Sequence, residues 1–195
     1  MEAMMQQKVD KWLNGNYDEA TKDAIRKMQA EHSAELPESF YRNLEFDTGG
    51  LRGILRVGTN RMNKYTVGMA TQGYANYLKQ CFGNDVGVVV GHDSRNNSRA
   101  FAEITANVFA ANGINVYLFE ALRPTPEISF AIRELKCKGG VVCTASHNPK
   151  EYNGYKAYWD DGAQMVPPHD KNGIAEVEKI ASVDDVKWSG GEANI

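Results

Sequence analysis

Residues 138–149 read KGGVVCTASHNP, and this stretch decides the fold. The apolar run at 141–143 stops abruptly at small and polar residues, which predicts a buried strand that ends in a loop. Asn148 precedes a proline and is pushed out of the helical region, so it ends the loop. In an open α/β sheet, ligands bind where strands end in loops. The pattern therefore places the Ser146 hydroxyl at the predicted site.

Three interpretations of Ser146 are open on these residues alone. It could be a turn former, because serine often hydrogen-bonds its own backbone. It could be a hydrolase nucleophile paired with His147. The Gly-x-Ser-x-Gly elbow is absent, and adjacent side chains of an extended segment point to opposite sides, so this pairing is disfavoured. It could also carry or receive a group, with His147 and Asn148 as polar neighbours.

Length and composition exclude several classes of protein. The chain has 195 residues and a net charge of −3, from 22 basic and 25 acidic residues, so no bulk nucleic-acid partner is indicated. Three widely spaced cysteines without a Cys-x-x-Cys pair predict neither a zinc site nor disulfides, and Cys81 and Cys143 are expected to be buried. No signal peptide or long apolar run is visible, so we expect a cytoplasmic location and no membrane contact.

Strands and helices alternate before the serine. Apolar runs at 86–90 and 116–119 predict two further strands, with helical spacing between them. This alternation predicts an α/β fold: a three-layer α/β/α domain with a mostly parallel central sheet and one antiparallel edge strand. The loops that carry Asp93, Arg123 and Ser146 are then expected along one sheet edge.

The loop at 91–98 reads GHDSRNNS. Asp93 and Arg95 are two residues apart, which suggests an ion pair that shapes the loop. Ser98 is expected to cap the following helix.

A glycine-rich stretch at 49–53 surrounds Arg52. Its three glycines allow the backbone to turn sharply or to approach another group closely. A guanidinium there could hold a phosphate through two parallel hydrogen bonds. The alternative is an arginine in a surface loop.

Asn153-Gly154 is a strong turn signal after the serine loop. We therefore expect a strand at 155–159, antiparallel and near the edge of the sheet. Lys156 would lie just past the turn and could reach back toward Ser146 as an acid or base. A solvated strand lysine is the alternative.

Good helix formers fill residues 1–34, with a break at Gly15-Asn16 and a cap at Asp18 for a second helix. We divide the chain into an N-terminal helical extension at 1–40, an α/β domain at 41–190 and a linker at 191–195.

Three motifs resemble those of the α-D-phosphohexomutases, the phosphoglucomutase/phosphomannomutase family. TASHNP at 144–149 with YNGYK at 152–156 is similar to the family's active-site signature, and 91–95 is similar to its Gly-x-Asp-x-Arg loop. FDTGGLRG at 46–53 resembles the N-terminal motif, usually FGTAGLRG; Asp47 and Gly49 depart from it. The sequence at 60–63 is more similar to the branch of the family that includes phosphopentomutase-like members.

The resemblance implies a reaction. Ser146 would be a phosphoserine that gives its phosphoryl group to a sugar monophosphate and regains one from the resulting sugar bisphosphate. Mg²⁺ would bind an oxygen of that phosphoserine. Lys156 would be the acid/base, Arg52 would help to hold the transferred group, and His147 would lie beside it.

The resemblance also implies contacts and partners. Thr144, Asn148, Asp93 and Arg95 are expected to contact substrate or phosphate. Family members have four domains and the resemblance covers only the first, so the remaining domains would be partners and the isolated chain nearly inactive. The alternative is a non-catalytic sugar-phosphate-binding module. The preferred sugar, whether glucose, mannose or pentose, stays open.

Overall fold

A six-stranded mixed sheet forms the centre of the computed structural model, which describes residues 2–47 and 49–195. Thr48, part of the predicted motif at 46–53, lies outside the described residues. The strand order across the sheet is β1-β2-β6-β5-β3-β4. The strands are β1 (Phe46–Asp47), β2 (Gly50–Ile54), β3 (Gly87–His92), β4 (Asn115–Leu118), β5 (Gly139–Cys143) and β6 (Tyr152–Trp159).

The direction of the strands agrees with a mostly parallel sheet. β3 pairs in parallel with β4 and β5, and β2 runs in the same direction because both it and β5 pair antiparallel with β6. The sheet has an antiparallel edge strand, as predicted, and that strand is β1, which pairs with β2. β6 is also antiparallel, but it lies inside the sheet and not at its edge. The reason is β2: the glycine-rich stretch around Arg52 forms a strand that pairs with β6 along its whole length.

Helices cover both faces of the sheet, which confirms the three-layer α/β/α class. Val90 and Tyr155 pack under α4 and α5 on one face, whereas Val142 and Tyr158 pack under α6 on the other. The helices are α1 (Glu2–Asn14), α2 (Glu19–Ala30), α3 (Glu35–Phe40), α4 (Lys64–Phe82), α5 (Ser98–Ala111), α6 (Thr125–Glu134) and α7 (His169–Glu178). None of the helices in the described part of the chain is long and apolar enough to cross a membrane.

The chain before β1 forms three helices, α1 to α3, that pack on α4 through aromatic side chains. Trp12 stacks on Tyr17 with ring centroids 4.3 Å apart, and Tyr65 of α4 packs against both. Asp18 caps α2, as predicted, by accepting a bond from the Thr21 backbone N–H at 2.7 Å. The same carboxylate also binds α4, so this contact joins the helical segment to the sheet domain.

Asp18 pairs with Lys64 at 2.8 Å and accepts a bond from the Tyr65 hydroxyl at 2.7 Å. The Lys64 ammonium holds the pKa of the Asp18 carboxyl well below its usual range, although partial burial acts in the opposite direction. A depressed folded-state pKa stabilises the fold above the unfolded pKa, and that contribution fades as pH falls toward the folded pKa.

We expect Asp18→Ala to lower the free energy of unfolding by about 1 kcal/mol at pH 7, because it removes a helix cap. Asp18→Asn keeps a capping oxygen but loses the ion pair with Lys64 and the second carboxylate oxygen, which accepts the Tyr65 hydroxyl, so its loss should be smaller than that of Asp18→Ala. Urea denaturation at pH 7 and pH 3 tests the direction of the pH dependence. The difference in free energy of unfolding between wild type and Asp18→Asn should be smaller at pH 3. A difference that is the same at both pH values would contradict the assignment.

The expectation that Cys81 is buried is wrong. It lies in the last turn of α4, and the register of that helix places it on the solvent side. Cys137 and Cys143 are buried, and burial raises the pKa of Cys137 to about 11 and that of Cys143 to about 12. The thiolate is the reactive form, so these two thiols should be inert.

Alkylation with iodoacetamide at pH 8 is therefore expected to add one group to the native chain, and three after unfolding. Cys81→Ser should remove the native adduct, as measured by intact mass. Rapid modification of Cys143 in native protein would show that β5 is more accessible than the structure indicates.

The predicted linker at 191–195 contains a short 3₁₀ turn, Glu192–Asn194, that packs on α5. Asn194 donates from its side-chain amide to the Ala110 carbonyl at 3.1 Å. The division of the chain at 40 and 190 stays a prediction.

Candidate active site at the serine loop

The serine loop, residues 144–149, follows β5 at the end where the parallel strands β3 and β4 also finish. The Asn148 N–H donates to the Ala145 carbonyl at 3.0 Å, which closes a tight turn. Within it, Ser146 has a left-handed φ of 53° and is exposed. A non-glycine residue in this region is held there by its surroundings, and such strain clusters at functional sites. The turn therefore presents the Ser146 hydroxyl to solvent.

His147 is closer to the serine than the sequence argument allowed. That argument assumed an extended segment, and the positive φ of Ser146 makes the assumption wrong. The Ser146 Oγ lies 3.4 Å from His147 Nδ1. This separation is at the long limit of a hydrogen bond.

Asp93 is the acceptor at the centre of the loop contacts. Its carboxylate accepts bonds from the Thr144 hydroxyl at 2.6 Å, the Ser98 hydroxyl at 2.6 Å and the Arg95 backbone N–H at 2.9 Å. Thr144 Oγ1 in turn accepts the Ser146 backbone N–H at 3.0 Å. The strands therefore bring the Asp93 and serine loops together at one edge, as predicted, and Arg123 joins them by donating its N–H to the His92 carbonyl at 3.1 Å.

Arg95 holds the serine loop by its backbone. Its guanidinium is 3.5 Å from the Asp93 carboxylate, which is the predicted ion pair, and its side chain is only 14% exposed. It also donates to four carbonyl oxygens, those of Ser146 (2.5 Å), Asn148 (2.6 Å), Pro149 (3.0 Å) and Tyr152 (3.3 Å). These bonds occupy the guanidinium. Direct phosphate contact by Asp93 and Arg95 stays a prediction, and the structure gives both a loop-holding role.

Ser98 does not cap α5, contrary to expectation. The cap position is Asn97, which has a φ of 64° and makes no side-chain capping bond. Ser98 is the first helical residue, and its buried hydroxyl bonds to Asp93 instead. The sequence alone does not distinguish a serine that caps a helix from one whose hydroxyl bonds to a distant carboxylate.

Arg52 and Lys156 lie on the same face of the sheet. Gly50 of β2 is opposite Lys156, and Arg52 is opposite Gly154, so Arg52 and Lys156 are diagonal neighbours. Side chains alternate along a strand, and Tyr155 points under α4 and α5, so both cations point to the α6 side. Arg52 is exposed and donates to the Asn148 side-chain oxygen at 3.2 Å, while Lys156 is half-buried.

The turn predicted at Asn153-Gly154 is wrong, because both residues lie inside β6. A Cβ on Gly154 would lie 2.6 Å from the Thr144 carbonyl oxygen and 2.8 Å from that of Leu51. The glycine is therefore needed for the close approach of the serine loop on one side and of β2 on the other. Asn153 is fully buried, and its amide is bonded within the fold. The β-forming tyrosines on either side were the signal for a continuous strand.

Two cavities of about 570 and 500 Å³ lie elsewhere in the chain. The first lies between α2, the segment after β2 and the start of α5, and the second between α1, α4 and α7. Neither is lined by a residue of the serine loop. The candidate site is an open sheet edge, so geometry and not cavity size identifies it.

The described residues do not form a Mg²⁺ site by themselves. In the ranges 2–47 and 49–195, no three His, Cys, Asp or Glu side chains are grouped so that they could hold a metal ion. Asp93, the carboxylate joined to the serine loop, already accepts bonds from two hydroxyls. An unphosphorylated Ser146 adds one neutral oxygen, whereas Mg²⁺ prefers several oxygens, often from carboxylates and phosphate.

These features define a class of protein: a three-layer α/β/α domain with its site at the carboxyl ends of parallel strands. A family model described as "Phosphoglucomutase/phosphomannomutase, alpha/beta/alpha domain I" matches residues 43–184. The chain belongs to the phosphoglucomutase/phosphomannomutase family.

Several of the curated relatives are named as phosphosugar mutases. The chain is 42% identical over 182 residues to the probable phosphoribomutase of Schizosaccharomyces pombe, covering 92% of this chain and 31% of that protein. It is 40% identical over 184 residues to human phosphopentomutase, covering 90% and 30%. A structure assigned as a phosphomannomutase, from Thermus thermophilus, superposes with a TM-score of 0.65 at 34% identity, covering 70% of this chain and 30% of that one. The chain thus spans just under a third of its relatives' length.

Proposed function

We propose that this chain is the phosphoserine domain of a phosphosugar mutase, in which Ser146 carries the phosphoryl group between sugar phosphates. The observation that carries the proposal is the placement of the serine. Its hydroxyl is exposed on a strained turn at the end of β5, with Arg52 linked to the same loop through Asn148. A serine held in this way can meet a phosphate in a fixed orientation, and phosphoryl transfer depends chiefly on positioning and positive charge.

In the proposed step, a sugar hydroxyl oxygen attacks the phosphorus on Ser146. A bond to the sugar oxygen forms and the bond to Ser146 Oγ breaks. The hydroxyl proton passes to Lys156 in its neutral amine form, and Oγ takes up a proton from solvent water as it leaves. Lys156 suits this role because it lies half-buried on the same sheet face as Arg52.

Positive charge on this face supports the transfer. The Arg52 guanidinium has five N–H donors, and within the described part of the chain one of them bonds to Asn148, which leaves others to hold phosphate oxygens. The Thr144 hydroxyl donates to Asp93 and accepts the Ser146 N–H, which supports a role in positioning the serine, and its direct contact with substrate stays a prediction. Mg²⁺ belongs to the proposal as a partner of phosphorylated Ser146, whose phosphate oxygen is the ligand that this chain would supply.

The substrate proposed is a pentose phosphate, with a hexose phosphate as the second candidate. The names of the two relatives described above favour the pentose, in agreement with the branch suggested by residues 60–63. The partners proposed are a sugar phosphate, a sugar bisphosphate and the further domains that the relatives' length implies, in the cytoplasm.

Intact-mass analysis tests the proposal. The chain is incubated with Mg²⁺ and either ribose 1,5-bisphosphate or glucose 1,6-bisphosphate, and we expect a gain of one phosphoryl group per chain. Ser146→Ala should gain none. We expect no mutase turnover comparable to that of a full-length relative.

A non-catalytic sugar-phosphate-binding module is the second candidate, favoured by the full use of Asp93 and Arg95 in loop contacts. Such a module would bind the bisphosphate, seen by calorimetry, without any gain in mass. Binding without covalent phosphate on Ser146 would therefore replace the first proposal by the second.

A further inference from the structure

The Asn153 side chain is an unexpected polar group inside β6, since it is 0% exposed. Its amide nitrogen donates to the Asn96 carbonyl at 2.8 Å and to the Ser98 hydroxyl at 3.0 Å, and its amide oxygen accepts the Gly154 N–H at 2.7 Å. A buried amide whose polar atoms are all bonded contributes to the uniqueness of the local geometry. Asn96 and Ser98 belong to the segment around Asp93, which in turn contacts the serine loop.

A continuous chain of hydrogen bonds joins Asn153 to Ser146. Asn153 donates to the Ser98 hydroxyl, and Ser98 donates to one oxygen of Asp93 at 2.6 Å. From the other end, the Ser146 N–H donates to Thr144 Oγ1 at 3.0 Å, and Thr144 donates to the second oxygen of Asp93 at 2.6 Å. The hydrogen bonds that start at Asn153 and those that start at Ser146 therefore both end on the Asp93 carboxylate.

The donor and the acceptor of each hydrogen bond in this series can be assigned. A hydroxyl has one hydrogen, and each hydroxyl here gives it to a carboxylate that can only accept. Ser98 and Thr144 must therefore accept from the amide hydrogens of Asn153 and Ser146. Removal of any one of these side chains leaves a buried polar group without its partner, so the hydrogen bonds of this series stabilise one another.

We propose that Asn153 is a positioning residue, which sets strand β6, and with it Lys156, against the serine loop through Ser98, Asp93 and Thr144. An effect of Asn153 on phosphoryl transfer rests on the proposed function. Lys156 is three residues further along β6, roughly 10 Å at the rise of a strand, and points to the opposite face. The bonds of Asn153 thus fix the strand from the side that does not face the substrate.

Asn112 provides a matched control. It is also a buried asparagine, 6% exposed, and its amide bonds to Gln72 at 2.9 Å and to the Val108 carbonyl at 2.8 Å. It lies at the far end of α5 and has no bonded path to the serine loop among these contacts. Loss of its side chain removes a comparable number of buried bonds without touching the site.

The exchange rate of the Ser146 amide hydrogen, measured by NMR, tests the proposal without any need for activity. We expect Asn153→Ala and Ser98→Ala each to speed exchange at Ser146 by about 10-fold, because each breaks the chain that orders Thr144. Asn112→Ala should leave this rate within about 2-fold after correction for global stability. The double variant Asn153→Ala/Ser98→Ala should match either single variant, since the two act through one path.

The rate at which Ser146 gains phosphate from glucose 1,6-bisphosphate gives the second readout. Asn153→Ala should lower this rate by about 10-fold while the dissociation constant of the bisphosphate stays unchanged, because misplacement affects the transfer and not binding. Asn112→Ala should alter neither value.

The outcomes separate the two proposals. If the wild-type chain never gains phosphate, the proposed function fails, and the exchange rates still decide the role of Asn153. If folded Asn153→Ala exchanges at Ser146 like wild type, the positioning role is overturned. Should Asn153→Ala not fold, Ser98→Ala decides alone, and its failure to fold would also overturn the inference in favour of a purely structural role.

Discussion

Arg95→Lys should slow the gain of phosphate on Ser146 by about 100-fold, because a displacement of about 1 Å at a reacting group costs that much. The guanidinium of Arg95 donates to four carbonyl oxygens in and after the serine loop. A lysine ammonium is a single nitrogen and cannot span them. Freed carbonyls would let the strained φ of Ser146 relax toward common values. Intact-mass time courses with a sugar bisphosphate measure the rate.

The matched control is Arg99→Lys. Arg99 lies one turn further along, on the exposed side of α5, and contacts Glu103 and the Glu120 carbonyl. We expect less than a 2-fold change in the rate for this variant, since surface ion pairs contribute little. Equal effects of the two substitutions, or no effect of Arg95→Lys on a folded chain, would show that the serine turn does not depend on the guanidinium.

Gly154→Ala is the second large effect, and we expect it to lower the free energy of unfolding by about 3 kcal/mol, at the upper end for overpacking. The added methyl group would lie 2.6 Å from the Thr144 carbonyl oxygen and 2.8 Å from that of Leu51. Both are backbone atoms, one at the start of the serine loop and one in β2, and both residues are held against β6 by backbone hydrogen bonds, so they cannot move aside without breaking those bonds. Urea denaturation followed by circular dichroism measures the loss.

Gly173→Ala is the same substitution in a different setting. Gly173 lies inside α7, where the nearest contact of an added Cβ is the flexible end of the Met165 side chain at 3.2 Å. Alanine also favours a helix by roughly 1 kcal/mol over glycine, so we expect a net change under about 1 kcal/mol. If both variants lose the same stability, close strand approach is not the reason for glycine at position 154.

The serine loop was predictable because its signal is local. An apolar run that stops at TASHNP needs no knowledge of distant residues, and the structure has a strand there followed by a loop that exposes Ser146. The caps are local as well, and Asp18 was predicted correctly because its partner, Thr21, is three residues away. Signals of this range depend on the backbone of one segment only.

The errors arise where a distant partner decides the structure. Asn153-Gly154 has the composition of a turn, yet β2 on one side and the serine segment on the other hold it as strand. Ser98 has the composition of a cap, yet its hydroxyl bonds to Asp93. Neither short segment contains a sequence feature that predicts these contacts, because strand pairing depends on residues that are distant in the sequence.

The site was partly predictable for the same reason. The ion pair of Asp93 and Arg95 follows from their spacing, and the structure contains it. The use of Arg95 to bind serine-loop carbonyls did not follow, since it joins positions more than fifty residues apart. The resemblance of the motifs predicted the site residues, and only the structure separates those that hold the loop from those that face outward.

The exposure of Ser146, His147 and Arg52 on this open sheet edge has a chemical consequence. Bulk water reaches the same place as a sugar hydroxyl would, and water is also a nucleophile toward a phosphate ester. A phosphorylated chain should therefore lose its phosphate spontaneously, as inorganic phosphate, unless the geometry discriminates against so small an acceptor. The half-life of the phosphorylated chain in buffer thus measures how far the exposed edge by itself protects the ester from wasteful hydrolysis.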